Sequence, residues 1–435
     1  MIATTSHSSE AKTPINQERL LLILGGLFML VNYLALAING NITQISGLLP
    51  PFVWMICALV SSRVLNKTVP NRDPLLFPLA LIMVGWGITS IQRLEPVFAQ
   101  RQTFWLILST LALLIVVSIP RIFRLIRNFR YTLLIGGLII LIATISFGQN
   151  PSQVPGAPTL WLNLGGFFFQ PSEVLKIVLV AFLASYLAEQ YPALRTSSFA
   201  RDHKTRSLIF SPRIFGPILL MWGICIILLV WQQDLGAAIL FFLIFLIMLY
   251  IASGYTRILI IGALLVGLVM FMGYQLFGVV ERRVDIWLNP WPEADNRAYQ
   301  IVQSLMAFAS GGITGQGIGQ GHPNFIPVVH SDFIFSAIAE EWGLVGVVIL
   351  TIMLVTYLAR GLHIASIERS HPFRTLFATG LSLIIGLQSL IIMAGVLKLI
   401  PLTGVTLPFF SYGGSSLFVC FIITGLLIRL SAGET

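Results

Sequence analysis

The chain has 435 residues, of which 56% are hydrophobic and only 10% charged. So little polar surface cannot cover a water-soluble fold of this size, which excludes a soluble enzyme. The net charge of +9 reads as the topology signal of a membrane protein rather than as affinity for nucleic acid.

Residues 1–17 are polar and carry Glu10 and Lys12, unlike the basic start of a cleavable signal peptide, so they read as a cytoplasmic tail. Beyond them, apolar windows long enough for a hydrocarbon core of about 30 Å recur along the chain. They are centred near Leu30, Trp54, Met83, Leu111, Gly137, Val180, Gly223, Phe245, Leu265, Val348, Ile385 and Val419. The expectation is an all-α integral membrane protein of about twelve transmembrane helices.

Cytoplasmic loops are enriched in Lys and Arg. With both termini placed in the cytoplasm, all of the 26 Lys and Arg residues fall on inner segments except Arg93, Arg101, Lys176, Arg282, Arg283, Arg297 and Lys398. Cys57, Cys225 and Cys420 lie within spans and suggest no disulfide framework.

The sixth span opens with QPSEVLK, Gln170 to Lys176. Pro171 suits a first helical turn, and Glu173 and Lys176, three apart, share a face and can pair. The pair is either a structural ion pair or the lining of a water-filled cleft. WQQDLGAA, Trp231 to Ala238, turns between two spans and puts Asp234 where an N-cap belongs.

A large outer loop follows the ninth span, and its length suggests function. Within it, AYQIVQSLMAF puts Tyr299, Val302, Met306 and Ala309 on one face of a short amphipathic helix. GGITGQGIGQG, Gly311 to Gly321, is not a nucleotide loop, because no Lys-Ser/Thr follows and no strand precedes it. A flexible loop over a large substrate is expected there.

HSDFIFSAIAEEWG, His330 to Gly343, opens the tenth span with Asp332 and carries Glu340 and Glu341 deeper. Ionisable groups in a membrane are functional candidates by default. Ser331 would serve as an N-cap without a full charge, so Asp332 invites another role. Glu340 lies about 12 Å further along the helix, which argues against a single metal cage. The last span begins PLTGVTLPFFSYGGSS, Pro401 to Ser416, where two prolines and Gly413–Gly414 predict a broken helix start.

In this order, QPSEVLK, QDLGAA, RVDIWLNPW, YQIVQSLMAFASGGITGQGIGQG, HSDFIFSAIAEEWG and PLTGVTLPFFSYGGSS resemble the SEDS family typified by RodA, FtsW and SpoVE. The resemblance runs roughly from Leu75 to Ser431 and implies a ten-span core over residues 75–435. Residues 18–74 then hold two additional N-terminal spans, as in a longer branch of that family, and 279–331 is the extracytoplasmic loop. Leu160 stands where the family commonly has Arg, QQDLG replaces QPDLG, and Pro-Val-Val-His-Ser-Asp replaces Pro-Glu-x-His-Thr-Asp.

The resemblance implies a peptidoglycan glycosyltransferase of the bacterial inner membrane, active on its outer face. The enzyme would transfer the growing glycan from its polyprenyl pyrophosphate to lipid II, with Asp332 of the DFIF motif as the catalytic acid of the family. Glu173, Lys176, Asp234, Arg283, Gln170 and Ser411 fall on supporting or substrate-binding positions. A class B penicillin-binding protein, a transpeptidase, is the expected partner, and subgroup resemblance leans toward elongation.

Chemically, a sugar hydroxyl is a poor nucleophile and needs a positioned base, the role given to Asp332. The leaving pyrophosphate needs cations, for which Arg283, Arg282, Arg297 and Lys176 lie on the expected side, and a divalent ion, Mg or Mn, could assist. A lipid II flippase is the alternative, although it would need polar residues on both sides of the midplane. Another lipid-linked sugar enzyme, such as an O-antigen ligase, would lack the DFIF and SYGGSS segments.

Overall fold

In a computed structural model, residues 12–40, 45–151, 159–199, 216, 219, 223–227 and 230–433 are described. The chain forms an α-helical multi-pass membrane fold. Among the described residues, eleven helices are long and apolar enough to cross a bilayer. The expected span centred near Gly223 falls largely outside the described residues, with helix at residues 223–227.

The helices in chain order begin with α1 (Lys12–Ile38), α2 (Leu49–Thr68), α3 (Leu76–Leu94), α4 (Pro96–Ser118), α5 (Ile122–Asn128), α6 (Arg130–Phe147) and α7 (Pro171–Phe199). They continue with α8 (Leu235–Ser253), α9 (Arg257–Leu276), α10 (Gly278–Leu288), α11 (Tyr299–Gly311), α12 (Ile334–Ile367), α13 (Pro372–Val396) and α14 (Gly414–Ser431). One exception to the all-α expectation is a small antiparallel hairpin, β1 (Leu162–Leu164) with β2 (Phe167–Phe169), Leu162 opposite Phe169. Gly165 and Gly166, both at positive φ, make its two-residue turn. Asn163 Oδ1 accepts from Gly166 N at 2.8 Å, and β2 leads directly into Gln170.

The chain divides into two compact units. The first comprises Met1–Pro120, Ile286–Gly361 and Gln388–Thr435, and α3 is its most enclosed span. Trp54 of α2 donates from Nε1 to Leu81 O at 2.8 Å and lies over Gly85, which locks α2 to α3 through a polar bond inside an apolar contact. Helices α4 and α14 pack along much of their length, Gly414 against Trp105 and Gly425 against Leu113. Small residues permit this close approach where hydrophobic collapse cannot drive helix association in lipid.

The second unit comprises Arg121–Asp285 and Leu362–Leu387. Its core is built by α7 against α6 and α8, with Gly137 facing Leu175 and Gly380 facing Val180 and Met248. Arg130 of α6 forks onto both carboxylate oxygens of Glu189, at 2.6 and 2.8 Å. Helix α9 is almost entirely exposed apolar surface, as a lipid-facing span should be.

The long connection from α9 to α12 is built rather than structureless. Helix α11 forms as expected, but its packed face differs. Ile301, Val302, Ser304, Ala307 and Gly311 are buried, whereas Met306 and Ala309 are exposed. The buried set includes a polar and a glycine position, because Ser304 bonds the Ser336 hydroxyl at 2.7 Å; an apolar pattern alone misses that face.

Candidate active site

The site is built around an interruption in α12. Gly343 has φ 63° and ψ −162°, which breaks the helix. A β-carbon there would collide with Gly315 N and Ile313 O, so both the left-handed φ and the close approach require glycine. The break frees backbone groups that must be satisfied internally at membrane depth. The glycine-rich loop supplies them. Gln316 N and Gly317 N donate to Glu340 O and Glu341 O at 2.9 and 3.0 Å, and Leu344 N and Val345 N donate to Gly312 O and Ile313 O at 2.9 and 3.1 Å.

This corrects the expectation of a flexible loop. Residues 311–321 splint a broken helix, and side chains add to the fixation. Glu341 pairs with Arg93 at 3.1 Å, Arg93 also donates to Gly321 O at 2.9 Å, and Glu340 Oε1 accepts from His322 N at 2.7 Å. Both deep carboxylates are therefore engaged in holding loop to helix.

Asp332 stands two residues before α12 and is half-buried. Ser331 Oγ donates to its Oδ1 at 2.8 Å. The non-helical stretch before α14 lies beside it, and the site of a β-carbon on Gly404, φ 74°, is 3.6 Å from Asp332 Oδ2. Ser411 ties this stretch to the Asp332 turn: its hydroxyl donates to Ser331 O at 2.6 Å and accepts from Leu407 N at 2.8 Å, while Tyr412 N donates to His330 O at 2.8 Å.

Gln102 brackets the same stretch, donating to Ser411 O and accepting from Gly413 N, each at 3.2 Å. Gln388 donates to Thr406 O at 2.8 Å. These amides answer backbone groups that a continuous helix would have paired, as irregular backbone in a membrane requires. Val328 and Phe409 flank the site with φ of 56° and 68°. A β-branched residue at positive φ is a true outlier, and such strain, on the order of 1–3 kcal/mol each, gathers at functional sites.

An aromatic group adjoins Asp332. The His330 ring lies 4.4 Å from Phe98 and 5.6 Å from Tyr412, and the Arg101 guanidinium sits 5.9 Å from the Phe98 ring centre. Burial of His330 lowers its pKa to about 4, so the ring is neutral near pH 7. Burial also raises the Tyr412 pKa, against the opposing hydrogen bond and charge of Arg101. Phe98, Arg101 and Gln102 were missed in the sequence, and Tyr412 stood there only as part of SYGGSS, with no role of its own. Arg101 alone left a signal there, as a cation on a segment expected outside the cytoplasm.

A separate polar cluster lies in the other unit. Lys176 Nζ meets Glu173 Oε1 at 2.6 Å with side-chain exposures of only 2% and 10%, so the expected pairing forms and is buried. Asp234 caps α8, accepting from Ala237 N at 3.1 Å. Its second oxygen accepts from Ser172 Oγ at 3.0 Å and Gln170 Nε2 at 3.4 Å, which links the starts of α7 and α8. Ser172, inside the QPSE motif, was not singled out by sequence reasoning. Gln170, Glu173, Lys176 and Asp234 are thus brought together in one unit, Asp332 and Ser411 in the other. Arg283 lies half-buried on α10, and Arg282 beside it donates to Gly278 O at 3.0 Å. Among the described residues, no three His, Cys, Asp or Glu side chains group as a metal cage.

Comparison with known proteins shows the family. A family model described as cell cycle protein, FtsW/RodA/SpoVE, matches residues 74–435. The peptidoglycan glycosyltransferase RodA of Mycobacterium tuberculosis (strain ATCC 25618 / H37Rv) is 35% identical over 379 residues, covering 85% of this chain and 80% of its own. A probable peptidoglycan glycosyltransferase FtsW of Geobacter sulfurreducens (strain ATCC 51573 / DSM 12127 / PCA) is 30% identical, with 84% and 96% covered.

Among solved structures, a chain from work on the coordination of polymerization and crosslinking by a peptidoglycan synthase complex superposes with a TM-score of 0.68. It is 26% identical and covers 84% of this chain and 99% of its own. The rod shape determining protein RodA of Thermus thermophilus gives 0.57 at 25% identity, with 83% and 96% covered. The chain belongs to the FtsW/RodA/SpoVE family of cell cycle proteins.

Proposed function

We propose that this protein is a peptidoglycan glycosyltransferase that transfers a growing glycan from its lipid pyrophosphate to lipid II. The names of its relatives support the activity. The observation that carries the residue assignment is the half-buried Asp332, oriented by Ser331 at the meeting of the α12 entrance and an unwound stretch. In the proposed step, the acceptor sugar's hydroxyl oxygen bonds to the anomeric carbon of the donor. The bond from that carbon to the pyrophosphate oxygen breaks, and the hydroxyl proton passes to the Asp332 carboxylate. The lipid pyrophosphate leaves with the electron pair.

Cations stabilise that leaving group. Arg101, one helical turn from Phe98 and paired with Tyr412, is added to Arg283, Arg282, Arg297 and Lys176 as a candidate. A divalent ion, Mg or Mn, held mainly by the substrate's own phosphate oxygens, would supply charge neutralisation at the pyrophosphate while Asp332 accepts the proton. Glu173, Lys176, Asp234, Gln170 and Ser411 are proposed as supporting groups, the first four through one polar cluster.

The reaction is assigned to the outer face of the bacterial inner membrane, with both termini cytoplasmic and residues 279–331 outside, on the distribution of Lys and Arg. The same reading divides the chain into a tail (1–17), two added spans (18–74) and a ten-span core (75–435). A class B penicillin-binding protein is the proposed partner, in keeping with the synthase complex that contains a structural relative.

The test is to supply the purified protein with lipid II and no other glycosyltransferase, in vesicles. Glycan chains support the proposal. Lipid II crossing the membrane without chain formation would replace it with the flippase reading.

A further inference from the structure

Helix α1 lies before the family match, which begins at residue 74, yet it reaches the site's framework at two places. The Phe28 ring lies 5.5 Å from both Trp86 and Trp342, and those two indoles lie 5.1 Å apart. Trp342 immediately precedes the Gly343 break. Trp86 in turn contacts Phe410, next to Ser411, at 5.7 Å. Eleven residues on from Phe28, just past the end of α1, Asn39 Nδ2 donates to Ile318 O of the glycine-rich loop at 2.7 Å, and Asn39 Oδ1 accepts from Gln320 Nε2 at 3.4 Å.

A span that only anchors the chain needs none of this. Much of α1 is exposed apolar surface, with Leu27, Leu30 and Leu34 all more than half exposed, and that surface suffices for lipid. The opposite side is fitted: Gly25 lies against Ile82 of α3, and the aromatic and amide contacts follow from that side. Asn39 meets the loop at Ile318 and Gln320, while Glu340, Glu341 and Arg93 hold it at Gln316, Gly317, Gly321 and His322, so the loop is gripped twice. The loop in turn completes the broken backbone of α12, eleven residues past Asp332.

We propose that Phe28 and Asn39 are positioning residues: the added first span braces the glycine-rich loop and the Gly343 break, which fixes the direction of the helical stretch leading from Asp332. The catalytic part of this inference rests on the glycosyltransferase reading. The brace itself does not.

The discriminating variant is Asn39→Asp in the full-length protein in nanodiscs. Asp has the shape of Asn but cannot donate to Ile318 O, and Asn39 is exposed, so the fold is spared. Asn39→Ala and Phe28→Ala accompany it, with Phe28→Tyr as the conservative rescue and Leu34→Ala as a lipid-facing control on the same helix. Amide hydrogen exchange over residues 312–322 should quicken about fivefold in both Asn39 variants, the factor set by one net hydrogen bond.

With lipid II as substrate, kcat should fall several-fold in Asn39→Asp and Phe28→Ala while KM stays within about twofold, the signature of lost transition-state positioning. Leu34→Ala and Phe28→Tyr should match the wild type. Unchanged exchange at 312–322 overturns the brace. Faster exchange with unchanged kcat overturns the positioning role. If the wild type makes no chains from lipid II, the glycosyltransferase reading fails, and exchange alone decides the brace.

Discussion

Ser331 donates its hydroxyl to Asp332 Oδ1 across 2.8 Å, between neighbours in the chain. The same serine's carbonyl accepts from Ser411 Oγ at 2.6 Å, so the turn that presents the carboxylate is fastened to the unwound stretch before α14. The half-buried carboxylate is thereby oriented by its neighbour, and the position of a β-carbon on Gly404 lies 3.6 Å from Oδ2.

Asp332→Asn keeps shape and hydrogen-bonding size but removes the proton acceptor. Polymerisation of lipid II by the purified variant is expected to fall by at least about a hundredfold, the lower range for losing a general base. Insertion and thermal stability should stay near wild type. Polymer yield equal to the wild type's would show that the proton goes elsewhere.

Neutralising one partner of the buried Glu173–Lys176 pair removes the nearest opposite charge from the other. Breaking a buried pair in this way costs about 3–5 kcal/mol in measured cases, less where a second charge such as Asp234 is near Lys176. Glu173→Gln and Lys176→Met should each lower the melting temperature in detergent and reduce polymerisation in part. The charge-swapped Glu173→Lys, Lys176→Glu variant should recover some activity. Absence of any recovery would mean that the two side chains act separately.

Eleven of the twelve expected span positions, the Glu173–Lys176 pairing and the Asp234 cap were legible in sequence because each rests on local spacing: apolar windows, i,i+3 neighbours and the residue before a helix. The role of the glycine-rich loop was not legible. Its glycines look like freedom when read alone, and only the break at Gly343 shows that they let a loop backbone stand in for missing helix bonds. Glu340 and Glu341 were conspicuous in sequence as membrane carboxylates, but their partners are Arg93, far away in the chain, and a backbone amide, which no spacing rule reveals. The aromatic group of Phe98, His330 and Tyr412 joins three segments for the same reason.

The splint carries its own expectation. In Gly343→Ala the new methyl would meet Gly315 N and Ile313 O, and φ near 63° disfavours any β-carbon. The loop must then lift, which exposes Glu340 and Glu341 to lipid or water. Accelerated proteolysis within residues 311–322 and lost polymerisation are expected, against Gly267→Ala on α9, where open space surrounds the α-carbon and little should change. Equal behaviour of the two variants would argue that the break in α12 is incidental.

His330 sets a pH limit whose sign follows from linkage. An unfolded histidine takes up its proton near pH 6.5, whereas burial holds that of His330 down to about 4. Between those values the unfolded state binds more protons, so stability rises with pH through that window and is lost as pH falls from about 6.5 toward 4. The ring is packed against Phe98 and Tyr412, which also touch each other, and its backbone carbonyl accepts from Tyr412 N, so charging it strains the connection that carries Asp332. Thermal unfolding of the nanodisc-embedded protein from pH 4 to 7 should therefore show an acid-side decline, and His330→Phe, which keeps the stack without the titrating group, should decline less. Identical acid profiles for the two proteins would assign the decline to other groups.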